Sequence, residues 1–150
     1  MKYLRLVNRT RDRTLGSRVG LADQWWQRAR GFMGRAEPGP GEGLLLSPCR
    51  AVHMIGMKYA LDVILLDRQG RVVALHPELG PGRRTAWLAR ARYALEVPAG
   101  TIRETDTREG DLVAWLPAED ARSESGLHDS ASVDGSRDGG AALPHGMERS

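Results

Sequence analysis

The chain has 150 residues, 41% of them hydrophobic, which is enough for one domain with a real core. One cysteine excludes an internal disulfide, the lack of a CxxC pair or His-rich tract excludes a structural zinc site, and no apolar run is long enough to cross a bilayer, so a reducing, cytoplasmic setting is expected. The net charge of +3 is divided unevenly: residues 117–150 hold seven acidic residues and three arginines, a net of −4, which leaves +7 on residues 1–116.

Lys2 to Val7 alternates apolar and polar residues and reads as an edge or half-buried strand, with Thr14 to Leu21 as a second. Asp23 is then placed to cap a helix through ADQWWQRARGFMGR, in which Trp25, Ala29, Phe32 and Met33 fall on one face and Gly34 is positioned to end it. AEPGPGEG is a loop by composition. Short apolar runs follow at Leu44 to Leu46 and Ala51 to Met54, and Leu61 to Leu66 is apolar on both parities, as in a strand covered on both faces. Asp67-Arg68-Gln69-Gly70 is a tight turn that pairs this strand with Arg71 to Leu75 as a hairpin. Tyr93 to Val97 and Asp111 to Leu116 complete the strands.

Six to eight short, hairpin-linked strands with one flanking N-terminal helix predict a mainly β fold, an antiparallel β-sandwich or partly open barrel built around Leu, Val and Trp side chains. This domain is expected over residues 1–116. The Ser-, Gly- and Asp-rich segment 117–150 buries too little apolar surface to offset its chain entropy and is expected to be a disordered acidic tail. The basic residues of the body are scattered without interleaved stacking aromatics, which argues against a nucleic-acid surface.

Four separated segments carry a resemblance: RARGFMGR (28–35), GLLLSPCRAVHMIGMKYALDVILLDRQGRVVA (43–74), YALEVPAG (93–100) and EGDLVAW (109–115). Together they resemble the prokaryotic family called domain of unknown function one-nine-two. Its arginine-glycine-leucine-methionine block corresponds to Arg30-Gly31-Phe32-Met33, and its histidine-x-x-glycine-methionine pattern to His53 through Met57. Ala60 stands where the family often has proline. The resemblance implies a compact β-sandwich or barrel with a flanking helix, and it implies no activity.

The stretch PCRAVHMIGMKYALDVILLD (48–67) concentrates the chemistry. In an extended chain Cys49, His53 and Met57 would face one side, a thiol, an imidazole and a thioether that suit copper, but positions four apart lie roughly 13 Å from one another along a straight strand. Cys49 with His53 as base, and Asp62 or Asp111 as orienter, is the only local set for nucleophilic catalysis, and no nucleophile elbow or Gly-rich oxyanion loop surrounds it. Asp62 enters a buried strand, where an ionised carboxylate needs a partner such as Arg30, Arg35 or main-chain amides. It either fixes a strand end or anchors a pocket mouth beside His53 and Lys58.

Two hypotheses of different class follow. The preferred one is a non-enzymatic domain that binds an unidentified small ligand or protein partner, without a cofactor, in a cleft formed by His53, Met57, Lys58, Asp62 and Arg30. The other is a hydrolase or transferase using Cys49 and His53, with soft-metal binding as a further alternative.

Overall fold

The apolar runs form seven strands and two short helices: β1 (Tyr3–Asn8), β2 (Arg13–Ala22), α1 (Trp25–Arg30), β3 (Glu42–Leu46), β4 (Leu61–Leu66), β5 (Val72–Leu79), β6 (Tyr93–Pro98), α2 (Thr101–Thr105) and β7 (Val113–Pro117). The structure is a computed structural model that describes residues 1–118; the segment expected to be a tail lies, from residue 119 on, outside the described residues. Among the described residues no helix is long and apolar enough to cross a membrane.

The strands make one curled sheet in the order β5-β4-β6-β3-β2-β1-β7. Five of its pairings are antiparallel and one, β2 with β3, is parallel, with Val19 opposite Gly43 and Leu21 opposite Leu45. The two edges approach at one end, where Val72 N–H donates to the Asp111 carbonyl at 2.9 Å and Val113 N–H to the Gly70 carbonyl at 2.8 Å. A Cβ on Gly70 would sit 2.5 Å from the Val113 carbonyl oxygen, so this closure requires a glycine. The result is the mainly β, partly open barrel expected from the sequence, with a parallel pair and a second helix added.

Alternation along the strands gives the sheet two buried sides. Ile64 and Leu66 of β4 and Tyr93, Leu95 and Val97 of β6 point inward with Trp115, whose ring meets Tyr93 edge-on at 5.3 Å between centroids. Leu61, Val63, Leu65 and Ala94, of the opposite parity, pack outward against Phe32, Val52 and Met54. This second layer explains why all six residues of β4 are buried. The layer itself is irregular chain: Cys49 N–H donates to the Arg92 carbonyl at 2.8 Å and Met54 N–H to the Arg83 carbonyl at 2.7 Å, so residues 49–54 are tied to the segment before β6.

Several local expectations need correcting. Ala51 to Met54 is not a strand; only His53 forms a bridge, to Arg84, because the Thr85 hydroxyl takes the Val52 N–H at 3.0 Å and interrupts the ladder. Helix α1 has six residues rather than fourteen. Its start is set by Gln27, whose Oε1 accepts from Gln24 N–H at 3.2 Å, and it ends at Gly31, with φ 51°, three residues before Gly34. A helix that buries none of its residues leaves Trp25 73% and Trp26 53% exposed, so of the four tryptophans only Trp115 joins the core. Helix α2 is too short to show a period in the sequence, yet Ile102 seats it on the inner core.

Candidate functional site

Glu96 organises the candidate site. Its register opposite Leu44 of β3 and Val63 of β4 places its side chain on the outer side of the sheet, under the irregular layer. It is 3% exposed, and its Oε1 is buried with no hydrogen-bond partner among the described residues. That carboxyl group lines a cavity of about 50 Å³ together with Cys49, His53, Met57, Phe32 and Arg30. Burial pushes the Glu96 carboxyl up to about 7, because removing the charged form from water is unfavourable.

The walls are held by the local chemistry of two segments. Gly31 ends α1 directly over Glu96: a Cβ there would lie 3.2 Å from Glu96 Oε1, and its positive φ disfavours any side chain in any case. Gly56 abuts Met33, where an added Cβ would lie 3.0 Å from Sδ, so the Arg30-to-Met33 block and the His53-to-Met57 block meet there. Beside the cavity, in the adjoining cleft, Tyr59 ties down the turn after α1, since its hydroxyl lies 3.0 Å from the Arg35 carbonyl and 3.2 Å from that of Ala36. The Cys49 thiol donates to the Ala51 carbonyl at 3.0 Å, and burial pushes it up, so it is held protonated.

The structure brings some of the sequence-predicted residues together and separates others. His53, Met57 and Arg30 line the Glu96 cavity. The chain doubles back through Met57 N–H, which donates to the Met54 carbonyl at 3.2 Å, so the straight-strand spacing does not apply and Cys49, His53 and Met57 face one space. Lys58 lines an adjoining cleft of about 420 Å³ that shares Phe32 and Met57 with the cavity and adds Arg35, Glu37 and Tyr59. On the other flank His53, Arg84 and Trp87 border a cleft of about 440 Å³.

Asp62 is not among the cavity's lining residues. It pairs with Val97, so its side chain enters the inner side, where Oδ1 accepts from Glu78 N–H at 2.8 Å and Oδ2 from Ile102 N–H at 2.7 Å. It fixes β5 and α2, the strand-fixing role weighed beside the pocket role, and neither Arg30 nor Arg35 is its partner. Arg30 instead donates from Nε to the Met33 carbonyl at 3.0 Å. Among the described residues no three His, Cys, Asp or Glu side chains group closely enough to hold a metal ion.

Sequence reasoning missed Glu96. The available signal was a lone carboxylate in the apolar run Tyr93 to Val97, a segment as strand-like as Leu61 to Leu66 around Asp62. Three of the four segments that carry the family resemblance supply the cavity: Arg30 to Met33, Cys49 to Met57, and Glu96.

Comparison with known proteins covers the same segments. A UPF0127 protein of Thermococcus kodakarensis is 34% identical over 119 residues, spanning 77% of this chain and 75% of its own. Another, from Pyrococcus horikoshii, is 31% identical over 114 residues, spanning 74% of this chain and 98% of its own. The crystal structure of a protein of unknown function from Novosphingobium aromaticivorans matches with a TM-score of 0.65 at 25% identity, over 75% of this chain and 84% of that one. The family DUF192, described as Uncharacterized ACR, matches residues 6–115, a span that contains every wall of the Glu96 cavity; the chain belongs to this family.

Proposed function

We propose that the protein is a ligand-binding domain whose site is the Glu96 cavity, walled by His53 and Met57 and continued past Lys58 into the adjoining cleft. The observation that carries this reading is the unpartnered Oε1 of Glu96. A buried polar atom without a hydrogen bond costs about 1–3 kcal/mol, and a ligand that donates to it removes the penalty. The cavity's own lining adds contact surface, since Ile55 is 63% exposed and Met33 stands between α1 and Gly56.

Binding is favoured over turnover through Cys49 because a nucleophilic thiol needs a depressed pKa, and burial moves this one the other way. Three sulfur side chains on the wall, Met33, Cys49 and Met57, keep cuprous ion as a competing occupant for the test. The test is a thermal-shift screen of small polar compounds, with cuprous ion included, on wild type, Glu96→Gln and Met57→Leu. The expected result is a compound whose stabilisation is lost in Glu96→Gln. Stabilisation by cuprous ion alone, lost in Met57→Leu and kept in Glu96→Gln, would replace this reading with the metal one. Hits that act equally on all three proteins would place the site elsewhere.

A further inference from the structure

The cavity and its neighbouring cleft hold complementary unmet groups. At the deep end is an acceptor, Glu96 Oε1. In the cleft that shares Phe32 and Met57 with it stands Arg35, whose Nε is buried and, among the described residues, also without a hydrogen-bond partner, and Lys58 lines the same cleft. Among the described residues Glu37 is the one carboxylate lining that cleft, so two cations face one anion there. The deep cavity, at about 50 Å³, has room for a terminal group of a few heavy atoms, while the cleft has about 420 Å³ for the rest of a molecule.

We infer that the ligand is an amino carboxylate, with its primary ammonium donated to Glu96 and its carboxylate received by Arg35 and Lys58, the chain between them lying over Phe32 and Met57. This rests on the reading of the Glu96 cavity as the binding site. The assignment of ends follows from what each group lacks. Glu96 has only acceptor capacity once ionised, and an ammonium offers three donors in a compact head that the small cavity admits. A guanidinium with a free Nε–H matches a carboxylate, and the partly exposed cleft leaves that carboxylate in contact with water. The arginines at the deep end do not substitute for the ligand: Arg28 donates to the Asp23 and Ser47 carbonyls at 2.9 and 3.4 Å, and Arg30 to that of Met33. Phe32 and Met57 supply an apolar floor suited to methylenes.

The test is isothermal titration calorimetry of the full chain with a ladder of probes: glycine, β-alanine, γ-aminobutyrate, δ-aminovalerate and ε-aminocaproate. For the best length, the matching hydroxy acid and the matching alkylammonium are titrated as well. One length is expected to bind, and each control that lacks one charged end to bind on the order of tenfold to a hundredfold more weakly. Glu96→Gln should erase the preference for the ammonium end, and Arg35→Gln, at a partly exposed side chain, the preference for the carboxylate end. Circular dichroism of each variant establishes that it is folded. A hydroxy acid that binds as well as its amino acid overturns the inference and leaves the cavity reading standing. So does a ladder without binding when the wider screen finds a different ligand that Glu96→Gln loses. If neither the ladder nor the screen yields such a ligand, both fall.

Discussion

Asp62 and Glu96 are buried carboxylates on neighbouring strands, one register step apart, and they end in opposite situations. Asp62 opposes Val97 and turns inward, where both of its oxygens receive main-chain N–H groups. Glu96 opposes Val63 and turns outward into a cavity, where Oε1 receives no hydrogen bond from the described residues. The inner side of the sheet is closed by regular elements that can deliver amides at fixed positions, α2 and the end of β5. The outer side is closed by loops and a six-residue helix, and among the described residues none of their polar groups reaches Glu96 Oε1. A carboxylate met by amides holds the fold together, and one left open is available to something that is not part of the chain.

The largest effect expected from breaking this comparison is at Asp62. Asp62→Ala strands the amides of Glu78 and Ile102 in the interior, which costs about 2–5 kcal/mol, a large part of the 5–15 kcal/mol that holds a typical domain together. Urea denaturation measures it. A variant as stable as wild type would mean that β5 and α2 are held by their apolar contacts alone.

Glu96→Gln is expected to act in the other direction, and only where Glu96 is ionised. The folded chain holds the Glu96 proton up to about 7, whereas the unfolded chain releases it near 4.5. Between those values the folded state binds more protons, so stability falls as pH rises through the window and levels off above it. The full difference is on the order of 3 kcal/mol. Glutamine keeps the shape without the charge, so the variant should match wild type near pH 4 and exceed it near pH 8. Parallel stability curves for the two proteins across this range would contradict a desolvated carboxyl. Asp111 provides an internal contrast. Burial acts to raise it, but hydrogen bonds from Asn8 Nδ2 at 3.0 Å and Arg11 Nε at 3.1 Å more than offset that and hold it low. Its contribution is present at neutral pH and is lost only as pH falls through its lowered value, below the window in which Glu96 acts.

The same contrast separates what was legible in the sequence from what was not. The apolar run Leu61 to Leu66 and the Asp67-to-Gly70 turn were readable because each carries its own signal, two-sided apolarity and a side chain that caps its own turn: Asp67 Oδ1 accepts from both Gln69 and Arg71 N–H at 2.9 Å. Asp62 stood out as a charge in such a run, but its face could not be assigned without its partner strands. Placing Asp62 in one cleft with His53, Met57 and Lys58 treated as continuous what the structure divides between the two sides of the sheet. Glu96 escaped because alternation in Tyr93 to Val97 puts it on the side that a one-layer sheet would give to solvent. What buries it is irregular chain, whose path depends on long-range ties such as Cys49 to Arg92, and irregular chain has no periodicity to read.

The smallest expected effect is at Tyr59, and it asks whether the outer layer can open by itself. Tyr59→Phe removes a hydroxyl that can donate to the Arg35 or Ala36 carbonyl, at a cost of about 0.5–1.5 kcal/mol. Because those carbonyls belong to the turn after α1 and not to the sheet, the loss should fall on the outer layer more than on global unfolding. Cys49 reports on this, since it lines the cavity together with Phe32 and Met33, which lead into that turn. The Tyr59→Phe protein should therefore label faster with a thiol reagent in native buffer while its urea midpoint moves little, whereas in Asp62→Ala labelling and midpoint should move together. Opening of the outer layer without unfolding of the sheet would widen access to Glu96, and local stability of this kind belongs to segments with few buried apolar contacts. Labelling in Tyr59→Phe that changes only in step with global stability would mean that the two sides of the sheet unfold as one unit.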